Sequence, residues 1–228
     1  LCRKLLGLST DALHLIRGSG VNPERFRPST RSLDHPVILF VGRLLADKGI
    51  REFHEAALIL SRRHAGWGFQ VVGATDPGNP TSLREAEVAE LSRRCPAIQF
   101  LGHRDDMAAL LGAAHLIVLP TRYGEGVPRC LIEGAASGLP LVASDHPGCR
   151  EVVRHGHNGL LVGTDRPEDW AEAIASVLTD PPRWEAMCLA SRHLAETEFS
   201  ERAVIEATRS VYQKALHAPK PSSFGRYH

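Results

Sequence analysis

The chain has 228 residues, of which 43% are hydrophobic and 23% are charged, and its formal net charge at pH 7 is +1. This length is enough for one large domain, or two small ones, with a buried core. The near-neutral charge disfavours nonspecific nucleic-acid binding as the main function, and no apolar run approaches the roughly 18 residues of a membrane-spanning helix. The first residues also lack the apolar segment of a signal peptide. We therefore expect a globular, cytoplasmic protein.

The basic N-terminal stretch, residues 1–31, has six Lys or Arg residues against two acids. One interpretation is a solvated linker. The other is a surface for an anionic partner, such as a phospholipid-linked acceptor, with peripheral membrane association as a result. Because the sequence begins at Leu1 rather than at Met, we also expect it to be part of a longer chain.

Short apolar runs alternate with stretches of helical periodicity through residues 32–198. The apolar runs are typical of buried parallel strands, and the periodic stretches are typical of helices that pack on a sheet. Strands are predicted at residues 37–42, 69–73, 98–102, 115–120, 141–144 and 160–162. Helices are predicted at residues 49–64, 83–94, 184–195 and 199–216, with others beginning near Asp105, Pro128, Asp145 and Asp165. This alternation predicts an α/β fold with a Rossmann-like, doubly wound parallel sheet, followed by a disordered tail at residues 217–228.

Gly42, Arg43 and Lys48 lie in the loop between the first predicted strand and the helix at residues 49–64. Ligands of open α/β sheets bind at the carboxyl ends of the strands, where this loop begins. The two cations are therefore candidates for binding an anion, and the alternative is a pair of exposed loop charges.

The stretch from Thr121 to Asp145 is the most informative in the chain. It is predicted to form a strand end, a glycine-rich loop, a helix with Pro128 in its first turn, a tight turn and a strand. A loop that exposes backbone N–H groups at a helix N-terminus is a ready anion site. Glu125 and Glu133, with seven residues between them, are placed so that both face one bound ligand. The packing face of this helix is predicted to comprise Leu131, Ile132, Ala135 and Ala136, with Gly138 as its stop.

Asp145 and His146 follow the fifth predicted strand. They form a possible general acid/base pair, but no third orienting group lies near them in the sequence. The favoured interpretation is that Asp145 caps a short helix.

Four ordered stretches resemble the retaining glycosyltransferases of family 4, within the group 1 glycosyl transferases, which have the GT-B fold. These are GSGVN with FRP at residues 18–28, GR with KG at 42–49, the Glu-x7-Glu stretch at 125–133, and PGCRE with NG at 147–159. Their wording is most similar to capsule and O-antigen members. The resemblance implies that residues 32–198 are the C-terminal, donor-binding domain, and that residues 1–31 are the hinge from an absent N-terminal, acceptor-binding domain.

The resemblance also implies roles for the candidate residues. Arg43 and Lys48 would bind the donor diphosphate, Glu133 the ribose hydroxyls and Glu125 the sugar ring. The loop after the third strand would lie against the nucleobase, where an arginine stacks on a base or stays in solvent. The implied catalytic residues are Glu125, Arg43 and Lys48, and the implied binding residues are Gly42, His103, Arg104, Gly126, Val127, Pro128, Leu131 and Glu133.

The predicted reaction needs no metal or other cofactor, because two cations and a helix N-terminus neutralise the leaving diphosphate. The sequence has no C-x-x-C pair and no H-x-x-x-H pattern, which disfavours zinc, and its five scattered cysteines are predicted to be mostly buried, reduced thiols. The absence of G-x-G-x-x-G after a strand disfavours a nicotinamide or flavin enzyme. Transfer with retention through front-face attack is favoured, and a second acid leaves double displacement open.

The expected partners are a nucleotide-sugar donor, with UDP favoured over GDP, and a glycan or lipid-linked acceptor. A hexosyl- or N-acetylhexosaminyltransferase of polysaccharide biosynthesis fits these partners, and we expect this chain alone to be inactive. Two alternatives stay open. One is a nucleotide-sugar 2-epimerase of the GT-B fold, and the other is a non-catalytic nucleotide-sugar-binding module.

Overall fold

The computed structural model of the chain describes residues 20–122, 126–163 and 165–217, together with His14, Ile16, Gly18 and Gly124. It contains one six-stranded sheet in which all neighbouring strands are parallel. The strands are β1 (Val37–Val41), β2 (Gly68–Val72), β3 (Ile98–Gly102), β4 (Leu116–Leu119), β5 (Leu141–Ser144) and β6 (Gly159–Val162). Their order across the sheet is β3-β2-β1-β4-β5-β6, which is the order of a Rossmann fold. The predicted fold class is confirmed.

Helices connect the strands and follow the last of them. They are α1 (Ile50–Arg63), α2 (Glu85–Arg94), α3 (Met107–Ala113), α4 (Arg129–Ala136), α5 (Pro147–Arg150), α6 (Pro167–Leu178), α7 (Pro181–Glu198) and α8 (Glu201–His217). A short 3-10 helix, Ala46–Lys48, precedes α1.

The sheet is packed on both faces. Within β1, Ile38 and Phe40 belong to one hydrophobic cluster and Leu39 belongs to the other, because successive side chains of a strand point to opposite faces. Helices α1 and α6 cover the first face, where Phe53 and Trp170 are buried. Helix α4 covers the second face with the residues predicted from its periodicity, Leu131, Ile132, Ala135 and Ala136, all of them buried. The chain is therefore doubly wound, as predicted.

Residues 20–31 pack against the sheet domain instead of standing apart from it. The Val21 N–H donates to the Phe199 carbonyl at 2.7 Å, and the Glu201 N–H donates to the Val21 carbonyl at 2.9 Å. Phe26 is buried, and the Arg31 guanidinium donates to the carbonyl of Ser137 at 2.8 Å. The hinge role of residues 1–31 stays a prediction. Residues 1–13 lie outside the described residues. Residues 218–228 do so too, and they are all of the predicted tail except His217, which is the last residue of α8.

The strand order gives the sheet a switch point, the place where open α/β sheets bind ligands. Strands β2 and β3 lie on one side of β1, whereas β4, β5 and β6 lie on the other, so the strand order reverses between β1 and β4. At such a switch point the loops diverge and leave room at the carboxyl ends of the strands. None of the helices in the described part of the chain combines the length and hydrophobicity needed to cross a bilayer.

Candidate functional site

The loop after β1 is fixed by close backbone contacts. Gly49 has φ of +77°, and a Cβ added there would lie 1.9 Å from the carbonyl oxygen of Pro120. A Cβ added to Gly73, after β2, would lie 1.9 Å from the carbonyl oxygen of Gly42. Only glycine permits these approaches. The loop that contains Arg43 and Lys48 is therefore held against the ends of both neighbouring strands.

Arg43 projects from this loop with about half of its side chain exposed, and its Nη1 lies 2.6 Å from Oδ2 of Asp76. Asp76 comes from the loop after β2, and its backbone N–H donates to Ser82 Oγ at 2.8 Å. Asp76 is a neighbour that the sequence analysis did not identify. The pair leaves other guanidinium N–H groups of Arg43 for a ligand, since arginine has five such donors.

Lys48 ends the 3-10 helix and is half-buried. Burial lowers the pKa of its ammonium group, and the positive charge of Arg43 lowers it further, whereas the thiols of Cys130 and Cys149 act in the opposite direction. The Arg122 N–H, in the segment that leads to α4, donates to the carbonyl of Asp47, next to Lys48, at 2.7 Å. The structure thus holds the loop with the two predicted cations against the start of the segment that leads to α4.

Helix α4 begins one residue later than predicted. Pro128 is the N-cap, with φ of −66°. Ser137 is the C-cap, and Gly138 follows it with φ of +67°. The reason is that the Pro128 carbonyl already accepts the first helical bonds, from Leu131 N at 3.1 Å and Ile132 N at 3.4 Å. Pro128 thus occupies the half-helical capping position rather than the first turn.

The structure describes most, but not all, of the residues around this loop that are predicted to bind the ligand. Gly126, Val127 and Pro128 lie at the entrance of α4. The side chain of Leu131 is fully buried in the core, so it has no exposed surface through which to contact a ligand. Glu125 lies outside the described residues, and its role beside the sugar ring stays a prediction.

Glu133 lies on the second turn of α4 with only 13% of its side chain exposed. Its Oε1 accepts a hydrogen bond from Nε of Arg129 at 2.8 Å, one turn earlier on the same helix. Arg129 is well exposed and is a further partner that the sequence analysis missed. The signal was present as an Arg and a Glu four residues apart, a spacing that places both on one helix face.

His103 and Arg104 lie after β3, as predicted, but their contacts are local. The His103 Nε2 is 3.4 Å from Oδ1 of Asp105, and both side chains are highly exposed. Arg104 makes two bonds to Asp106, Nε to Oδ1 at 2.8 Å and Nη2 to Oδ2 at 2.6 Å. This pairing lowers the pKa of the Asp106 carboxyl and raises that of Arg104.

The structure shows a different arrangement at Asp145 from the predicted acid/base pair or helix cap. His146, not Asp145, is the N-cap of α5, so the predicted cap is wrong. The Asp145 carboxylate instead accepts from Nε of Arg150 at 2.5 Å, which lowers the pKa of that carboxyl. The Nδ1 atom of His146 is buried and has no hydrogen-bond partner among the described residues.

A cleft of about 270 Å³ lies at the carboxyl ends of β4, β5 and β6. Its lining is mostly polar and consists of Thr121, Arg122, Ser144, Asp145, His146, Val162, Gly163 and Asp165. The sequence analysis did not identify this cleft, because its walls come from three separate loops.

The four cysteines in the described part of the chain are free thiols, of which Cys95 and Cys149 are buried. Burial raises the pKa of the Cys130 thiol to about 12 and that of the Cys149 thiol to about 11. These two stay protonated at neutral pH. Within the same part of the chain, no three His, Cys, Asp or Glu side chains converge in a way that would hold a metal ion.

A Rossmann-like sheet with paired cations at its switch point is typical of domains that bind phosphorylated ligands. Residues 35–180 match the family model for glycosyl transferases group 1. This match covers well over half of the chain, which therefore belongs to the group 1 glycosyl transferases.

Individual relatives agree with the family. An N,N'-diacetylbacillosaminyl-diphospho-undecaprenol alpha-1,3-N-acetylgalactosaminyltransferase of Campylobacter jejuni is 31% identical over 188 residues, which are 77% of this chain and 47% of that protein. A glycogen synthase of Mycobacterium tuberculosis is 31% identical over 219 residues, which are 93% of this chain and 51% of that protein. The chain thus spans about half the length of the relatives it matches.

Solved structures show the same fold. HepE of Anabaena in complex with UDP and glucose has a TM-score of 0.73 and 20% identity, over 87% of this chain and 55% of that one. The C-terminal domain of the group 1 family protein LpcC from Francisella tularensis has a TM-score of 0.70 and 21% identity, over 79% of this chain and 99% of that one. The chain has the fold of a GT-B C-terminal domain, as predicted.

Proposed function

We propose that this chain is the donor-binding domain of a retaining glycosyltransferase and that it binds a UDP-linked sugar at the crevice between β1 and β4. One observation carries the proposal. The loop with Arg43 and Lys48 follows β1 and α4 follows β4, the two strands at the switch point of the sheet, and the Arg122 N–H ahead of α4 donates to the Asp47 carbonyl in that loop at 2.7 Å. Two further findings support it, the family to which the chain belongs and the UDP present in the HepE complex.

The charges at this crevice suit a leaving diphosphate. Arg43 offers a two-pronged donor to phosphate oxygens and Lys48 offers a point charge. The N-terminus of α4 adds about half a positive charge. As the sugar leaves, negative charge grows on the β-phosphate, so these groups stabilise the transition state more than the bound donor.

The proposed reaction is a substitution at the anomeric carbon. The bond from that carbon to the β-phosphate oxygen breaks, and a bond to the acceptor oxygen forms on the same face of the sugar. The acceptor proton moves to a β-phosphate oxygen, so UDP leaves in its protonated form, with the net charge that the diphosphate had in the donor, and then releases that proton to water. Glu133 accepts hydrogen bonds from the ribose hydroxyls, since a carboxylate oxygen takes up such donors readily. Glu125 holds a ring hydroxyl of the transferred sugar.

Some of the proposed binding side chains already have protein partners. Arg43 faces Asp76, and Glu133 faces Arg129, before any ligand is present. A diphosphate is a stronger anion than Asp76 and can take over the guanidinium. Ribose hydroxyls can reach Glu133 while it keeps Arg129, because a carboxylate accepts several hydrogen bonds at once.

Several finer points remain predictions from the sequence. They are the preference for UDP over GDP, the transfer of a hexosyl or N-acetylhexosaminyl group, independence of metals, a capsule- or O-antigen-like product, and a cytoplasmic location with possible peripheral contact to a membrane. The name of the Campylobacter relative describes transfer to a sugar on diphospho-undecaprenol, which supports a lipid-linked acceptor. The family match favours transfer over the 2-epimerase alternative.

We further propose that this chain binds donor but transfers little sugar by itself, because it spans only about half the length of its relatives. The measurement is release of UDP from UDP-sugars with and without added acceptor. Turnover by this chain at the rate of a full-length relative would contradict the proposal.

The test of donor binding is calorimetric titration with UDP, GDP and ADP. We expect saturable binding of UDP, weakened about 10- to 100-fold by Arg43→Ala, since a hydrogen bond to a charged group contributes about 1.5–3 kcal/mol. Glu133→Ala should weaken UDP and leave inorganic diphosphate unaffected. Arg63→Ala is the matched control. Arg63 is an exposed arginine that also lies near a carboxylate, that of Glu172, but it stands at the end of α1 opposite to the proposed site.

Each outcome of that titration has a distinct meaning. Preference for GDP would keep the site and change the predicted nucleotide. Equal binding by the parent and Arg43→Ala proteins would place the diphosphate elsewhere. No binding of any nucleotide would contradict the proposed function of this domain.

A further inference from the structure

Arg122 connects three loops at the carboxyl edge of the sheet. Its backbone N–H donates to the Asp47 carbonyl at 2.7 Å, in the loop that contains Arg43 and Lys48. Its Nη1 lies 2.8 Å from Oε1 of Glu52 on the first turn of α1 and 3.4 Å from Oδ2 of Asp165, after β6. Arg122 thus links the segment after β4 to the loop after β1 through its backbone, and to α1 and the segment after β6 through its side chain.

Other contacts strengthen the same junction. Thr121 Oγ1 donates to the Asp47 carbonyl at 3.3 Å. The preceding residue, Pro120, is the one whose carbonyl leaves no room for a Cβ on Gly49. The root of the glycine-rich loop and the 42–49 loop are therefore joined by a side-chain hydrogen bond, a backbone hydrogen bond and a close contact between backbones.

Glu52 makes this junction electrostatically demanding. Its side chain is only 12% exposed, and its Oε2 is buried without a hydrogen-bond partner among the described residues. A carboxylate in such a place is unfavourable unless a cation compensates it. Arg122 lies within salt-bridge distance of this carboxylate and compensates its charge, so the position of Arg122 is tied to the position of α1.

We propose that Arg122 is a positioning residue that fixes residues 120–122, the start of the segment leading to α4, relative to the loop with Arg43 and Lys48, and that Glu52 is its anchor. This inference rests on the proposed donor site. Arg122 lies six residues before Pro128, and its bonds fix the start of the segment that leads to α4. Holding that segment before the ligand arrives removes part of the ordering entropy that binding would otherwise have to overcome.

The alternative is an ion pair that stabilises the fold and nothing more. The two possibilities differ in what a double variant does. Arg122→Gln alone leaves Glu52 buried and unpaired, so it lowers stability on either interpretation. Glu52→Gln with Arg122→Gln removes both charges and should recover most of that stability. Donor affinity should recover only if Arg122 has no positioning role.

The experiment compares the parent with Arg122→Gln, Glu52→Gln, Arg122→Lys and the double variant. Arg51→Gln is the matched control, because Arg51 neighbours Glu52 on α1 and pairs with Glu87 at the same 2.8 Å. The readouts are the midpoint of urea unfolding, the Kd for UDP, and hydrogen exchange of amides in residues 121–134 of the ligand-free protein.

We expect Arg122→Gln to weaken UDP about tenfold and to speed exchange in residues 121–134, with partial rescue in Arg122→Lys. The double variant should regain stability while its Kd and exchange stay impaired, and Arg51→Gln should change Kd by less than about twofold. Recovery of Kd and exchange together with stability would overturn the positioning role. Failure of the parent to bind UDP would instead count against the proposed function, and the exchange comparison would still decide whether Arg122 fixes the loop.

Discussion

Two loops that follow parallel strands at the same edge of the sheet are built in opposite ways. The loop at residues 42–49 contains a short helix and a glycine that accommodates the Pro120 carbonyl, and it accepts one backbone hydrogen bond from Arg122. The loop at residues 103–106 is held by ion pairs between its own side chains, and Asp105 is almost fully exposed.

The difference separates two kinds of candidate site residue. Arg43 and Lys48 have their backbone positions set by the rest of the fold, so a ligand meets them already in place. The side chains of His103 and Arg104 are held by Asp105 and Asp106 of the same loop, so a ligand must order them. Where the proposed site binds a diphosphate it is therefore preorganised, and where a nucleobase would lie it is adaptable.

The largest expected effect comes from adding one methyl group to each loop. Gly49→Ala places a Cβ 1.9 Å from a backbone oxygen at φ of +77°, so both loops must shift. Gly102→Ala at the start of the other loop has a similar φ of +67° but no atom within 4 Å of the new Cβ. We expect urea unfolding to show a loss of about 3 kcal/mol or more for Gly49→Ala and about 1 kcal/mol for Gly102→Ala.

Equal losses from the two glycine variants would break the comparison. They would mean that backbone conformation alone, and not the contact with Pro120, determines the cost at Gly49.

A smaller effect is expected from Asp76→Asn. Asp76 competes with a bound diphosphate for Arg43 and repels it, whereas Asn keeps a hydrogen bond to the guanidinium without the negative charge. UDP should bind about three- to tenfold more tightly to this variant, as measured by calorimetry at low salt. Asp105→Asn, in the exposed loop, is the control and should leave the Kd unchanged. Weaker binding to Asp76→Asn would show that Asp76 orients Arg43 rather than competing for it.

The smallest effect is expected from Arg104→Ala. Arg104 lowers the pKa of Asp106 in the folded protein. The pair therefore stabilises the fold at pH values above the usual pKa of the carboxyl, and this stabilisation is lost as the pH falls through the lowered pKa. In the variant, an NMR titration should show the pKa of Asp106 rising toward its usual value. The Kd for UDP should change by less than about threefold.

A large loss of UDP affinity in Arg104→Ala would remove the contrast between the loops. It would mean that the nucleobase orders residues 103–106 and stacks on Arg104, as one of the two interpretations of the sequence holds.

The sequence predicted the sheet well because its strands are short apolar runs with glycine or polar residues at their ends. The strand predicted at residues 98–102 is observed at those residues, and the first strand, predicted at residues 37–42, ends one residue earlier. The sequence also placed Gly42, Arg43 and Lys48 at the carboxyl end of the first strand, whereas the strand order, and with it the switch point, came from the structure.

The ion-pair partners were not predictable from spacing. Asp76 is 33 residues from Arg43, and Glu52 and Asp165 lie in loops or helices far from Arg122 in the chain. Helical and strand periodicities describe neighbours within one element, whereas these pairs form between elements only once the sheet is assembled. The wrong cap at Asp145 has a local cause, since Arg150, on the helix that follows directly, takes its carboxylate.

The bridge between Val21 and Ser200 has a consequence for the handling of this domain as a module. Both hydrophobic clusters are contained between Val21 and Phe199. The two ends of that segment are neighbours in a parallel bridge, about 5 Å apart. A host protein could therefore accept the whole unit in place of one of its surface loops, without stretching either chain.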